Sequence, residues 1–275
     1  MLRYGTSSWS EKSWKGVFYP QGMPAAEYLT HYASVFPAVE VDATYYAIPA
    51  ASVVAGWERK TPPGFKLCAK FPRSIVHGGD GARPDAARVL LPAVVGDDVR
   101  QFLDVMAPLG DKLGPLVVQL PFFNREAFPT ARPFLDRLDA FLDSLPREFR
   151  YAVEVRNKFW LGQPLLAVLR KHQAALVLVD LAYMPHPADV MRRLEVVTTD
   201  FTYARLIGDR KAIDDLTESF DKIVVDQSPR LERWASLLQD LMPRVRDVYV
   251  FANNHYAGHG PATIRDLVAR VGAGP

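Results

Sequence analysis

Residues 150–160 read RYAVEVRNKFW, an apolar run that ends in two opposite charges. Tyr151 to Val153 are typical of a β-strand, and Glu154 and Arg156 follow at positions i and i+2. Because successive side chains of a strand alternate between its faces, both charges project to the same side. An acid and a base on one face indicate either a solvated edge strand or a polar pocket, and the rest of the chain favours the pocket.

Similar short runs recur along the chain, each followed by a turn and a helical pattern. Apolar residues return at helical spacing in segments 24–36, 97–109, 132–145, 228–242 and 260–271. The predicted strands cover residues 2–5, 38–42, 66–71, 116–120, 151–155, 175–180, 202–207 and 248–253.

Strand and helix alternate eight times, which predicts parallel strands joined by right-handed crossovers and closed as a TIM-type (β/α)8 barrel. The alternative is an open doubly wound sheet, but such sheets usually have five or six strands, and no GxGxxG motif follows the first strand here. We expect residues 1–275 to form a single domain. The Gly- and Pro-rich segment 72–96 follows the third strand and is predicted to lie on the barrel rim as a lid or partial plug.

The composition describes an ordinary globular protein, with 49% apolar residues, 23% charged residues and a formal net charge of +2. So small a net charge excludes a polyelectrolyte surface, and nucleic-acid contact would therefore have to be local. The single cysteine, Cys68, excludes an intrachain disulfide. The N-terminal residues do not resemble a signal peptide, and no apolar run approaches the length of a membrane span. These features predict a cytoplasmic protein with no membrane partner.

Barrel enzymes carry their chemistry at the carboxyl ends of the strands. Charges gathered there would be costly to desolvate unless they pair with each other or with a polar ligand. A buried ion-pair layer that only fixes strand register is the structural alternative. The predicted catalytic residues are Glu154, Glu40, Lys70 and Asp180. The predicted substrate-binding residues are Arg156, Arg205, Arg210, Gln119, Asn253, Asn254, Trp9 and Tyr46.

Several segments also carry a family resemblance. They are GTSSWSEKSWKGVFYP (5–20), FPAVEVDATYYAIP (36–49), FKLCAKFP (65–72), VVQLPFFN (117–124), AVEVRNKFW (152–160), YARLIGDR (203–210) and VYVFANNHYAGHGPATI (248–264). The chain resembles the YecE-like family, a domain of unknown function, over essentially its whole length. The resemblance implies a TIM-type barrel and no established activity. Many relatives have histidine where this chain has Ile207.

A phosphate or another anion is the ligand that the rim residues favour. Barrels often bind phosphate with the loops after strands seven and eight, assisted by a helix N-terminus. These loops are residues 207–213, with Arg210 near Arg205, and residues 253–261, which include Gly258 and Gly260. We therefore expect Arg205, Arg210 and the backbone near Gly260 to form one anion site. A solvated turn is the alternative for 207–213.

Two other chemistries are less favoured. Retaining glycosidases on this fold place two carboxylates on strands four and seven, where this chain has Gln119 and Arg205. His255 and His259 have HxxxH spacing but lie in a glycine-containing loop. A single Mg²⁺ or Mn²⁺ bound by oxygen ligands, drawn from Glu40, Asp42, Glu154 and Asp180, stays open, and no cofactor is predicted.

The sequence thus predicts a hydrolase or lyase that acts on a phosphorylated sugar, a nucleotide or a nucleic-acid end. Glu154 or Glu40 would be the general base, and Arg156, Lys70 and Arg205 would bind the anion. The alternative is a non-catalytic module that binds an anionic ligand or nucleic acid. The two differ because an enzyme usually needs a carboxyl group with a raised pKa in a pocket of limited hydration, and a binding module does not.

Overall fold

The computed structural model describes residues 1–79, 81 and 83–272. Its strands lie close to the predicted segments and pair in parallel in the order β1-β8-β7-β6-β5-β4-β3-β2. Eight parallel strands with helices between them form a nearly closed barrel, which confirms the predicted TIM-type fold. The strands are β1 (Leu2–Thr6), β2 (Ala38–Val41), β3 (Lys66–Lys70), β4 (Leu113–Gln119), β5 (Tyr151–Glu154), β6 (Ala175–Leu181), β7 (Phe201–Gly208) and β8 (Asp247–Ala252).

A tyrosine side chain bridges the junction between β1 and β2. The Thr6 amide donates a hydrogen bond to the Tyr32 hydroxyl at 2.6 Å, and that hydroxyl donates to the Ala38 carbonyl oxygen at 3.3 Å. Gly5 permits this close approach, because a Cβ at that position would lie 2.0 Å from the Ala38 oxygen. Tyr32 thus satisfies polar backbone groups at the place where the barrel closes.

The helices cover the outside of the barrel. They are α1 (Tyr28–Val35), α2 (Ala51–Lys60), α3 (Arg73–Val76), α4 (Pro92–Met106), α5 (Ala131–Asp143), α6 (Gln163–Lys171), α7 (Pro187–Met191), α8 (Arg210–Asp214), α9 (Ser228–Leu241) and α10 (Gly260–Val271). The five segments with clear helical periodicity correspond to α1, α4, α5, α9 and α10. Helix α4 begins earlier than predicted, at Pro92, because proline is well suited to a first helical turn.

The segment 72–96 is more structured than its composition predicts. It contains the single turn of α3 and the start of α4, and Val89 and Leu90 are fully buried in the core. Asp80 and Ala82 lie outside the described residues. A covering role for this segment at the barrel mouth stays a prediction.

The core has two layers, one between the sheet and the helices and one inside the barrel. The inner layer includes Ala38, Cys68, Val117 and Ala152. Burial raises the pKa of the Cys68 thiol, so this cysteine is held in its unreactive protonated form. In the described part of the chain, no helix has the length and apolar character that crossing a bilayer requires.

Candidate functional site at the barrel mouth

Strand alternation carries a polar layer into the barrel just above the apolar inner layer. Each inward apolar residue of β2 to β5 is followed two positions later by a polar one, which therefore faces the same way. These polar residues are Glu40, Lys70, Gln119 and Glu154, and Arg205 joins them from β7. The structure thus brings together five of the predicted site residues.

Arg205 is the centre of this layer. Its Nε and Nη2 donate to Glu40 Oε1 at 3.1 and 2.8 Å, and its Nη1 donates to Gln119 Oε1 at 2.7 Å and to Glu154. The arginine side chain is only 2% exposed, and both carboxylates are fully buried. Such a fork of charge-assisted hydrogen bonds fixes both acids in place across the barrel.

Further partners complete the pairing of the two buried acids. The Tyr203 hydroxyl donates to Glu40 Oε2 at 2.8 Å, and Lys70 Nζ lies 3.5 Å from Glu40 Oε1. On the other side, Arg156 Nε donates to Glu154 Oε1 at 2.9 Å. The charges at the end of β5 therefore face the barrel interior rather than solvent.

The pairing decides how these acids ionise. Burial alone raises the pKa of Glu154, but the guanidinium groups of Arg205 and Arg156 outweigh it and lower that pKa to about 2. Glu40 shows the same balance, because Arg205 and Lys70 overcome its burial and hold its pKa below the usual value. Both acids are therefore ionised at neutral pH, but with their pKa held low by paired cations they are weak bases, which argues against the predicted role of either as a general base.

Asp42, one residue beyond β2, behaves differently. Its side chain is 33% exposed and it pairs with Lys70. Burial raises the pKa of Asp42, and the negative charge of Glu40 adds to this effect, while Lys70 and Arg205 counteract it only in part. From the sequence, Asp42 is a candidate only as a ligand of Mg²⁺ or Mn²⁺. A carboxyl group with a raised pKa, next to a lysine and accessible from the mouth, can exchange a proton with a ligand.

Asp180 does not belong to the mouth, and its predicted placement there is wrong. Val177, Val179 and Leu181 face the barrel interior, so strand alternation turns Asp180 outward. There it accepts hydrogen bonds from Arg230, from Trp234 Nε1 at 3.0 Å and from the Tyr256 hydroxyl at 2.9 Å. This cluster attaches α9 to the outside of the barrel.

The anion site predicted after strands seven and eight is also wrong in its geometry. Arg205 is enclosed by its protein partners, and Arg210 is 78% exposed and paired with Asp214 on α8. The Gly260 amide donates to Asn254 Oδ1 at 2.9 Å, so the first turn of α10 is capped from within the chain. A Cβ at Gly258 would lie 2.6 Å from the Lys222 carbonyl oxygen, so this glycine serves close packing between loops.

The remaining predicted binding residues lie around the rim. Asn253 Oδ1 accepts from the backbone and ring nitrogens of His255, and Asn254 caps α10. Trp9 is half-buried with its ring edge against Trp57. Tyr46 is largely exposed, as are the rings of Phe122, Phe159 and Tyr183 in the loops after β4, β5 and β6. Any contact of these residues with substrate stays a prediction.

In the described ranges, no three His, Cys, Asp or Glu side chains lie close enough together to hold a metal ion. Of the four carboxylates considered for Mg²⁺ or Mn²⁺, Asp180 is on the outside of the barrel, and Glu40 and Glu154 are saturated by Arg205. His255 pairs with Asp214 through Nε2 at 3.0 Å, which turns it away from a shared site with the other acids.

The parallel barrel, with its polar residues at the carboxyl ends of the strands, defines a protein of the TIM-barrel class. A family model described as "Protein of unknown function DUF72" matches residues 3–275, and the chain belongs to this family. The predicted YecE-like resemblance is confirmed by curated relatives. The chain is 36% identical over 159 residues to the UPF0759 protein YecE of Escherichia coli K12, and equally to that of Escherichia coli O157:H7. These matches cover 57% of this chain and 49% of the relatives, so the chain spans about half the length of the curated proteins it matches.

Solved structures show the same fold. A DUF72 family protein of Thermotoga maritima is 27% identical with a TM-score of 0.76, and the match covers 99% of each chain. A DUF72 family protein of Enterococcus faecalis is 21% identical with a TM-score of 0.68, covering 100% of this chain and 97% of the other. Neither description names an activity or a ligand.

Proposed function

We propose that this protein is a hydrolase or lyase that acts on a phosphorylated sugar, a nucleotide or a nucleic-acid end at the C-terminal mouth of the barrel. The observation that carries the proposal is Asp42. This carboxyl group combines access from solvent with a raised pKa, whereas Glu40 and Glu154 are buried and ionised. A fold that needed only a register-fixing ion-pair layer would not require it.

Asp42 is suited to transfer protons. Its partner Lys70 lies at the end of the neighbouring strand, and the Lys70 amide is fixed by a hydrogen bond to Thr44 Oγ1 at 3.0 Å. The lysine charge lowers the pKa of Asp42 from the value that burial alone would give, and the pKa still stays above its usual value. We assign the general acid or base role to Asp42, with Lys70 as its charged neighbour.

Arg156 is suited to bind the phosphate group. Its side chain is 26% exposed, and Glu154 occupies only its Nε. Burial lowers the pKa of His77 to about 4, and the positive charges of Arg73 and Arg156 contribute to this shift. The charge of Arg156 therefore influences the rim loop after β3, which contains His77. The remaining N–H groups of Arg156 can donate charge-assisted hydrogen bonds to phosphate oxygens.

Binding and turnover of a panel of phosphate-bearing compounds test the proposal. The panel contains inorganic phosphate, ribose 5-phosphate, glucose 6-phosphate, AMP and a short single-stranded oligonucleotide, each titrated by calorimetry. We expect at least one to bind, and Arg156→Gln to weaken its binding by about 10-fold or more. Asp42→Asn should retain binding and lower turnover by roughly 10²–10⁴-fold. Failure of every compound to bind the wild-type protein would overturn the proposal.

The alternative function is a binding module for an anionic ligand or a nucleic acid. It is favoured by the exposed aromatic rings of Tyr46, Phe122, Phe159 and Tyr183 on the rim, because such rings stack on bases without any chemical step. Under this alternative, the oligonucleotide binds and is recovered unchanged. Its affinity falls with Phe159→Ala but not with Asp42→Asn, which separates the two functions in one set of titrations.

A further inference from the structure

A small polar pocket opens beside Asp42, at the carboxyl ends of β1, β2 and β8. Its volume is about 210 Å³, which is close to the size of one sugar ring and below that of a drug-sized ligand site. Ser7, Glu11, Trp14, Asp42, Phe220 and Asn253 line it, together with neighbouring residues of the same loops. Two loops are attached to each other at its wall, because the Phe220 amide donates to Ser13 Oγ at 3.0 Å.

Two of the lining residues carry buried polar atoms that no protein group satisfies. Ser7 is 3% exposed and Trp14 is 1% exposed. Within the described residues, neither Ser7 Oγ nor Trp14 Nε1 has a hydrogen-bond partner. A buried polar group without a partner costs free energy, so a ligand in this pocket that reaches these two atoms would supply the partners they lack.

The chemistry of the walls narrows the class of ligand. Among the described residues, the lining includes two carboxylates, Asp42 and Glu11, together with His255, but no lysine or arginine. Lys70 pairs with Asp42 from outside the lining, and the carboxylates still disfavour an anion inside the pocket. An ammonium group would satisfy the carboxylates, but it only donates and would leave the Trp14 N–H unpaired. Hydroxyl groups both donate and accept, so they can pair with the carboxylates and with Trp14. Phe220 adds an aromatic face of the kind that packs on the apolar face of a sugar ring.

We propose that this pocket binds the neutral, hydroxyl-bearing ring of a sugar, and that this ring is the part of the substrate held next to Asp42. This inference rests on the proposed function, since it assigns the sugar portion of a substrate whose phosphate lies at Arg156. Sugar hydroxyls pair with Asp42 and Glu11, and their oxygens accept from the Ser7 hydroxyl and from Trp14 Nε1. The phosphate remains outside, because the pocket walls are acidic.

The experiment separates the two halves of the ligand. Methyl β-D-ribofuranoside and methyl α-D-glucopyranoside are the neutral sugar probes, inorganic phosphate is the anionic probe and methylammonium chloride is the cationic probe. Each is titrated into wild type, Ser7→Ala, Trp14→Phe and Arg156→Gln, with Ser34→Ala as the matched serine control on the exposed side of α1. We expect Ser7→Ala and Trp14→Phe each to weaken sugar binding about 3- to 10-fold and to leave phosphate binding unchanged. Arg156→Gln should do the reverse, and Ser34→Ala should change neither.

Thermal unfolding of the ligand-free variants shows whether a loss of binding results from misfolding of the variant. Since the Ser7 hydroxyl has no hydrogen-bond partner in the part of the chain that the structure describes, Ser7→Ala should melt at or above the wild-type temperature. The inference is overturned if no neutral sugar binds while phosphate binds through Arg156, in which case the proposed function stands. Sugar binding that neither variant weakens also overturns it, as does preferential binding of methylammonium. If sugars bind through Ser7 and phosphate does not bind, the sugar pocket is supported and the phosphate part of the proposed function fails.

Discussion

Two buried acidic clusters lie at the same end of the barrel, one inside it around Arg205 and one outside it around Asp180. In the outer cluster a single carboxylate accepts from Arg230, Trp234 and Tyr256, and every donor comes from α9 or from the segment after β8. In the inner cluster two carboxylates share one arginine, and Lys70, Arg156 and Asp42 extend the network to the mouth. The carboxylate of the outer cluster is fully buried and takes all of these donors from within the protein, although the Arg230 side chain itself is 39% exposed. In the inner cluster, the pairing of the buried acids continues to the partly exposed Asp42 and Arg156 at the mouth.

This contrast shows how a structural ion pair can be distinguished from a candidate site. A structural cluster needs each charge satisfied within the protein, as Asp180 is. A site needs at least one group that the protein leaves incompletely satisfied, such as Asp42 or the outer N–H groups of Arg156. Burial alone does not separate the two clusters, because the side chains of Glu40, Glu154 and Asp180 are all fully buried.

Arg205→Met should have the largest effect, because it removes the shared partner of two buried carboxylates. We expect the free energy of unfolding to fall by about 5 kcal/mol, the upper end for a broken buried pair. Urea unfolding at pH 7 measures it. Arg205→Lys should lie between the variant and wild type, since lysine keeps the charge but lacks the fork that reaches three partners.

Arg246→Met is the control for this change. Arg246 pairs with Asp200 and Asp247 at the opposite end of the barrel, and its side chain is 65% exposed. Its removal should cost no more than about 1 kcal/mol. Equal losses in Arg205→Met and Arg246→Met would contradict the idea that the inner cluster depends on desolvated pairing.

The second effect is acid sensitivity that originates at Glu154. Its folded-state pKa of about 2 lies below the ordinary value of 4.5, so its contribution to stability is full above about pH 4.5 and is lost as the pH falls toward 2. A shift of this size corresponds to roughly 3 kcal/mol. The stability difference between wild type and Glu154→Gln should therefore shrink steadily between pH 5 and pH 2. A difference that stays constant over this range would show that the charge of Glu154 is not the cause.

Asp180→Asn tests the outer cluster and should have a smaller effect. The amide oxygen still accepts from one or two donors, and the half-exposed Arg230 can turn to solvent, so we expect a loss of about 2 kcal/mol. Phosphate binding at the mouth should be unchanged. The exposed Asp189→Asn on α7 is the matched control, and it should change stability less than Asp180→Asn does. If Asp180→Asn loses ligand binding and Asp189→Asn does not, the outer cluster contributes to the function of the mouth.

The sequence predicted the barrel and most of the inner cluster because the alternation of inward and outward side chains is clear in the sequences of β2, β4 and β5. Glu40 follows Ala38 by two residues, and Glu154 follows Ala152 in the same way, so an inward polar end could be inferred from the pattern. Strand β6 reads ALVLVDL and is apolar on both faces, as strands covered on both sides are. The sequence therefore does not show which alternate residues of β6 face the barrel interior, and the prediction placed Asp180 on the wrong face.

Other parts of the site depend on contacts that sequence spacing does not encode. Arg205 was expected to be free for an anion, but whether an arginine is saturated depends on which acids converge from distant strands. The internal cap that Asn254 provides to the Gly260 amide likewise appears only in three dimensions. Asp42 could have been found from one signal, since it follows Glu40 by two residues and so shares its inward face.

Asp42→Asn should have the smallest effect on stability, and its sign is informative. Because the folded-state pKa of Asp42 is raised, its favourable contribution is present below the unfolded pKa and is lost as the pH rises. Burial disfavours the ionised form of this carboxyl group and Lys70 offsets that effect only in part. Lys70 also keeps a second partner in Glu40 at 3.5 Å when Asp42 is replaced. We expect Asp42→Asn to change the free energy of unfolding by less than about 1 kcal/mol. Because the pKa of Asp42 is raised, the expected change is zero or a small gain in stability. Urea unfolding at pH 7 beside Glu40→Gln measures it, and the latter should be clearly destabilised because it weakens the pairing around Arg205. A loss in Asp42→Asn as large as that in Glu40→Gln would place Asp42 with the structural acids and leave the mouth without its proton-transfer group.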